Sequence, residues 1–229
     1  MLSIDLHAHT RFFHGRDRLA HRFDPYGHAV LVAVATRRGL DGVALTNHDY
    51  YRPLGDPHED FLSIPGIEIS TTKGHVVVLG PDPPTRTKEG ALTPKEAVDV
   101  AHDRGCVAII AHPFRNSTIR ETDVPFDAIE CNGKHPRTWP LVREIATERE
   151  IPLVGGSDAH YPIEVGRAYT KIEADPTPES IVEAIRNGRV EPEIAGGTIS
   201  RFVRRGYRRV HKRKGHLDPM PGIATPPDD

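Results

Sequence analysis

Asp5-Leu6-His7-Ala8-His9-Thr10, or DLHAHT, follows directly on a short strand-like start, Leu2-Ser3-Ile4. In an extended strand, residues two apart point to the same face. His7 and His9 would therefore project side by side from the end of a first strand, where neither makes a good core residue. Two readings stand: a pair of surface histidines on an edge strand, or part of a metal-binding cluster. What decides between them is what the rest of the chain places at the ends of its other strands.

Further strand-like runs are Gly42–Thr46, His75–Leu79, Val107–Ala111, Phe126–Cys131, Pro152–Gly155 and Ala168–Ile172, with a shorter one at Ile67–Ile69. Helical patterns lie between them. Pro25–Arg38 opens on Pro and closes at Gly39, the usual helix punctuation. Thr93–Arg104 carries Glu96 three residues after Thr93, a capping-box pattern, and ends at Gly105. Pro140–Glu150 and Pro178–Asn187 complete the set. Strands alternating with helices predict a parallel α/β architecture.

The candidate ligands recur at the downstream ends of these strands. His7 and His9 end the first, Asn47-His48-Asp49 follows the second, Glu68 sits in PGIEIS, His112 follows VAIIA, and Asp158 and His160 sit in GGSDAH. In parallel barrels, residues from the C-terminal strand ends converge on one face. Singly, His48, His75 or His112 reads as a surface or capping residue, and Asp158 as a helix N-cap; together they read as a site. His75 starts its run, so it reaches the same face only if that strand is antiparallel or the preceding loop folds inward. Imidazole and carboxylate donors without cysteine suit Zn, Mn or Fe(II). Their number exceeds the three or four protein ligands of one ion, so two or three divalent ions are expected.

The bulk numbers fit one large domain or two small ones, and α/β barrels of this size occur as single domains. The chain has 229 residues, 37% hydrophobic and 27% charged, with fourteen histidines and two cysteines. Two cysteines exclude a disulfide framework and favour a reducing, cytoplasmic location. No run reaches the ~18 apolar residues of a membrane span, and the N-terminus lacks the pattern of a signal peptide. The net charge of −2 hides an asymmetry: residues 201–216 carry eight Lys or Arg and no acid, leaving the rest at −10.

DLHAHT, LTNHD, PGIEIS, HVVVLG, AHPFR and GGSDAH, in this order from Leu2 to about Val190, resemble the signature set of the PHP (polymerase and histidinol phosphatase) family, closest to its small phosphoesterases. The resemblance implies a distorted (β/α)7 barrel with a di- or trinuclear metal centre. It implies His7, His9, Glu68 and Asp158 at one ion, Glu68 shared with a second ion held by His75 and His112, and His14, His48 and His160 at a third. Asp5 and Asp49 would support the ligands, and Asn47 stands where an Asp is common. The chemistry would fall to His7, His9, Glu68, Asp158 and His160, with a hydroxide bridging two ions attacking phosphorus. Arg115 would bind phosphate, with Lys134, His135 and Arg167 as further candidates. Many relatives insert a small domain before AHPFR; Gly80–Gly105 has room only for a loop and one helix, which predicts an open site.

The resulting expectation is a metallophosphoesterase domain over residues 1–195, a basic extension or helix over 196–217, and a Pro-rich disordered tail over 218–229. Substrates would be nucleotides, short oligonucleotides or small phosphomonoesters. The alternatives are an amidohydrolase-like C–N hydrolase, and a metal-holding module that binds nucleic acid or a partner through Arg201–His216. The favoured reading of that basic segment is a terminal helix packed on the barrel with its charge in water.

Overall fold

The structure is a computed structural model that describes residues 1–11, 19–55 and 61–196, with 205, 206 and 209. His14 and the 218–229 tail lie outside the described residues. Of the basic segment only Arg205, Gly206 and Arg209 are described, all helical and exposed.

The described chain runs β1 (Leu2–Ala8), α1 (Ala20–Arg37), β2 (Gly42–Leu45), β3 (Leu62–Thr71), β4 (Gly74–Leu79), α2 (Pro94–Asp103), β5 (Val107–Ile110), β6 (Ala128–Asn132), α3 (Trp139–Glu148), β7 (Leu153–Gly156), β8 (Ala168–Ile172), α4 (Pro178–Arg186) and β9 (Val190–Ile194). The strands form one sheet in the order β7-β6-β5-β4-β3-β2-β1-β8-β9. It curls into a nearly closed barrel. Gly155 of β7 exchanges hydrogen bonds with the Thr170 hydroxyl of β8, and Ala159 bridges to Ala8 at the end of β1.

Pairing is parallel through β1–β2–β3 and β5–β6–β7. It is antiparallel at β3–β4, β4–β5, β1–β8 and β8–β9. Within this α/β barrel, the antiparallel alternative left open for the strand of His75 is the one observed: β3 and β4 form a hairpin, tightened at Gly74 (φ +143°), where a Cβ would fall 2.3 Å from Ser117 Oγ. An antiparallel β4 begins at the end of the barrel where the parallel strands finish, and this brings His75 to the same end as His7 and His48.

Three other boundaries differ from expectation. β3 spans ten residues, not only Ile67–Ile69; Pro65 breaks the apolar pattern but still pairs with Leu45. β9 was hidden by its sequence, VEPEI, whose proline and charges suit an edge strand. α1 begins at Ala20, with Pro25 inside it. Pro25 forfeits one helical hydrogen bond, yet the first turn is anchored by Asp24, which accepts the Tyr50 hydroxyl at 2.9 and 3.1 Å.

Apolar packing holds the frame. Ile4, Leu6, Ile64, Val77 and Ile109 form one cluster with Ile181, Val182 and Ile185 of α4. A second packs α2 and α3 on β3 to β6 through Ala97, Val98, Ala101, Val142 and Ala146. Each such large aliphatic side chain contributes roughly 1.5–3 kcal/mol when fully buried. α2 has the expected capping box, Glu96 N–H donating to Thr93 Oγ1 at 3.3 Å and Thr93 N–H to Glu96 Oε2 at 2.7 Å. No helix among the described residues is long and apolar enough to cross a membrane.

Candidate metal centre

Glu68 projects from β3 and is fully buried. Its two oxygens face different imidazoles. Oε1 lies 2.6 Å from His75 Nδ1 and 2.9 Å from His112 Nε2. Oε2 lies 3.0 Å from His48 Nδ1, 3.2 Å from His7 Nε2 and 3.4 Å from His9 Nε2. Asp158 is divided in the same manner. Oδ1 is 3.3 Å from His9 Nε2, 3.2 Å from His160 Nδ1 and 3.8 Å from His7 Nε2. Oδ2 accepts from Arg115 Nη1 and from Lys134 Nζ at 3.1 Å.

Three groups have donor atoms close enough to share an ion: His7, His9, Glu68 and Asp158; His48, Glu68 and His75; and His9, His48 and His160. His112 adjoins the second through Glu68, and His160 Nε2 is 3.3 Å from His48 Nε2. Eight of the nine residues expected at the centre are thereby in one cluster; the ninth, His14, is outside the described residues.

The cluster fits a cation on its own geometry. His7 Nε2 and Glu68 Oε2 are buried and 3.2 Å apart, yet neither makes a hydrogen bond. Buried polar atoms normally have partners, and a divalent ion between these two satisfies both. Burial lowers the pKa of His9 and His112 well below the ordinary value, and that of His48 to about 4 despite Glu68. These rings are neutral at pH 7, the form that ligates. Burial also opposes a charged His7, but Glu130 and Glu68 outweigh it and hold its pKa well above normal. For Glu68 and Asp158, burial is overcome by the surrounding His, Arg and Lys charges, so both stay ionised.

The backbone is strained where it matters. His112 (φ +25°) and Asp158 (φ +50°) are non-glycine residues at left-handed angles, a conformation that costs of order 1–3 kcal/mol and clusters at functional sites. Glu130 offsets it at His112 by accepting the His112 N–H at 2.7 Å.

Glu130, from β6, escaped the sequence reading, as did Glu164. Glu130 Oε1 is 2.9 Å from His7 Nδ1, so that His7 donates there and turns Nε2 toward the centre. Glu164 accepts the His160 N–H at 2.7 Å and lies 3.7 Å from Lys134 Nζ. The available signal for Glu130 was an acid near the end of an apolar strand, AIECN; Glu164 gave none.

The supporting and phosphate-binding candidates divide. Asp5 does not touch an imidazole; it accepts from the backbone of His7, Ser157 and Gly166 and from the Ser157 hydroxyl, and burial pushes its pKa up to about 6. Asp49 ties Ser70 N–H to the Thr87 hydroxyl as a loop brace. Asn47 likewise holds Thr10 rather than His48. Arg115 and Lys134 enter the centre, and Arg115 Nη2 also reaches His112 Nε2 at 2.8 Å. Arg167 is buried with its Nε donating to the Ile163 carbonyl, and His135 lies at the start of the 3-10 turn Pro136–Thr138.

A family model for a PHP-associated region matches residues 140–190. The sequence matches none of the curated proteins. Among solved structures, the chain is similar to PsfC from Pseudomonas syringae PB-5123, at 19% identity and a TM-score of 0.70, over 93% of this chain and 98% of that one. It is also similar to a two-domain protein from Bacteroides vulgatus ATCC 8482 containing a predicted PHP-like metal-dependent phosphoesterase, at 24% identity and a TM-score of 0.61 over 84% of this chain. A third is a lesion-specific endonuclease from Pyrococcus furiosus, at 18% identity and a TM-score of 0.58 over 81% of this chain. The chain spans 64% and 56% of the length of the last two.

Proposed function

We propose, on the premise that this chain is a PHP-domain protein, that it is a metal-dependent phosphoesterase whose activity resides in residues 1–195. The observation that carries this reading is Glu68, each of whose oxygens addresses a separate set of imidazoles. A carboxylate so placed would serve two ions at once. His7, His9, Glu68 and Asp158 would hold one, and Glu68, His75 and His112 another. His48 and His160, joined by His9 in the structure and by His14 in the family pattern, would hold a third.

Divalent ions at such a site polarise a phosphoryl oxygen and activate water at neutral pH. The chain supplies the rest. Arg115 and Lys134 concentrate positive charge on one side of Asp158. They neutralise an entering phosphoryl group and stabilise the charge that develops on its oxygens. His160 would offer Nε2 to the third ion, its Nδ1 being set against the Asp158 carbonyl at 2.9 Å, which fixes the ring. The names of the Bacteroides and Pyrococcus relatives, a predicted phosphoesterase and an endonuclease, support phosphate-ester chemistry. Glu68 fills the bridging role that a carboxylated lysine would otherwise take in a C–N hydrolase. The test is turnover of p-nitrophenyl phosphate, its bis-ester and an N-acyl amino acid after loading with Mn²⁺ or Zn²⁺. Ester hydrolysis without amide hydrolysis is expected; the reverse overturns the reading.

A further inference from the structure

Glu164 belongs to none of the donor groups at the centre, yet it is buried beside them, 2% exposed. It ends the 3-10 turn Pro162–Glu164, which Arg38 ties to the end of α1 through the Ile163 and Val165 carbonyls. Its Oε2 accepts the backbone N–H of His160 at 2.7 Å and of Tyr161 at 3.2 Å. In this capping role Gln serves as well as Glu. Among the described residues, no donor reaches Glu164 Oε1. A buried carboxylate with an unserved oxygen is costly, so the charge needs a reason that capping does not supply.

Lys134 supplies one. Its Nζ lies 3.7 Å from Glu164 Oε2 and 3.1 Å from Asp158 Oδ2. It also passes 3.2 Å from His160 Nδ1, which is set against the Asp158 carbonyl. The lysine starts from a clamped main chain. Lys134 N–H donates to Asn132 Oδ1 at 2.9 Å and Gly133 N–H to the Gly156 carbonyl at 3.0 Å. A Cβ on Gly133 would fall 2.9 Å from Ala168 N. The turn is thus fixed between β7 and β8, and the buried ammonium has two carboxylates within 4 Å.

The two carboxylates have different duties. Asp158 Oδ2 already accepts from Arg115 as well as Lys134, and Oδ1 faces His9 and His160, where an ion would draw on the same charge. A phosphoryl oxygen entering beside Arg115 competes for the ammonium too. Glu164 serves no ion, so its charge stays with the lysine when that of Asp158 is divided. We propose that Glu164 is a positioning residue whose charge holds the Lys134 ammonium at the centre to receive phosphate. This rests on the phosphoesterase reading and adds a residue to its anion site.

The test is calorimetric titration of inorganic phosphate into the full-length, Mn²⁺-loaded protein, freed of unbound metal. Glu164→Gln keeps an oxygen for the His160 and Tyr161 N–H groups and loses the charge. It should bind phosphate about fivefold more weakly or worse, the scale of one hydrogen bond to a charged group, with manganese content and Tm unchanged. Lys134→Met should weaken binding at least as much, and adding Glu164→Gln to it should weaken binding no further; Lys134→Gln serves where Lys134→Met does not fold. An unaltered phosphate affinity in Glu164→Gln overturns the proposal. So does a fully additive loss in the double variant, which would mean that Glu164 acts without Lys134. Lost manganese or a lowered Tm in Glu164→Gln overturns it as well, assigning Glu164 to the folding of the His160 loop, and so does an unaltered protein that binds no phosphate. Hydrolysis of p-nitrophenyl phosphate is read separately: turnover with a phosphate affinity indifferent to Glu164 sinks this inference alone, and Glu164-dependent phosphate binding without turnover sinks the phosphoesterase reading alone.

Discussion

Glu68 shows how much of the centre depends on a single charge. Five imidazoles surround its carboxylate within 3.4 Å. Glu68→Gln keeps the shape but replaces one oxygen by an amide that donates. The substituted protein should lose at least one equivalent of bound metal by elemental analysis and fall at least 100-fold in ester turnover. Glu130→Gln should do less. It leaves every ligand in place but weakens the acceptor that orients His7 and its hold on the His112 N–H; supporting changes of this kind typically lower metal affinity 10- to 100-fold, which competition with a chromogenic chelator measures. The two carboxylates also differ in how visible they are. Glu68, like His7, His9, His48, His112, Asp158 and His160, sits in a recognisable motif. Glu130 is one acid among apolar neighbours, and its meaning comes from His7, 123 residues away, a separation no local pattern encodes.

At the level of elements, α1 and the β3–β4 hairpin set the geometry. The hairpin delivers Glu68 and His75 together, because a two-residue turn returns β4 antiparallel to β3. The run HVVVLG showed a strand but not its direction, so the place of His75 stayed conditional until the pairing was known. The punctuation of Pro25 and Gly39 makes α1 legible, but the helix starts five residues earlier, at Ala20. Its first turn is held by tertiary contacts of Asp24 rather than by a cap, Leu19 offering no side-chain hydrogen bond. Gly27→Ala tests how tightly this helix is seated. A methyl 1.6 Å from the Thr10 carbonyl oxygen forces the helix or β1 to move. Overpacking of this kind costs ~1–3 kcal/mol, so the denaturant midpoint should fall, and metal affinity with it as Thr10 drags His9. An unchanged midpoint would mean that the helix is not seated there.

For the whole molecule, bound ions should act as a clasp. The centre gathers residues from β1, β3 and β4 and from the loops after β2, β5 and β7, and a ligand bound only by the folded state stabilises it by about 2.7 kcal/mol at one hundred times its Kd. Exhaustive chelation should therefore lower Tm by about 5–10 °C for a domain of this size, and added Mn²⁺ or Zn²⁺ should restore it; a Tm indifferent to both would contradict a centre built this way. The two thiols report on the same fold. Burial raises the pKa of Cys106 and, with the nearby Glu130 charge, pushes that of Cys131 up to about 12. A raised pKa leaves little thiolate below it, so at pH 8.5 iodoacetamide should modify neither in native protein and both in denaturant, as intact mass would show.

The seam between β1 and the last third of the barrel carries a consequence for synthesis. Asp5 binds Ser157 and Gly166, more than 150 residues downstream, and such distant contacts are entropically late to form. While the ribosome is still making β7, the growing chain already displays His7, His9, His48, Glu68, His75 and His112, but not the Asp158 that completes the set. Nascent polypeptide thus passes through a stage with many imidazoles and no finished cage, and a cation met at that stage would lack the Asp158 carboxylate. Only when the far edge arrives is the donor set complete, so selection of a metal would coincide with the closing of the barrel.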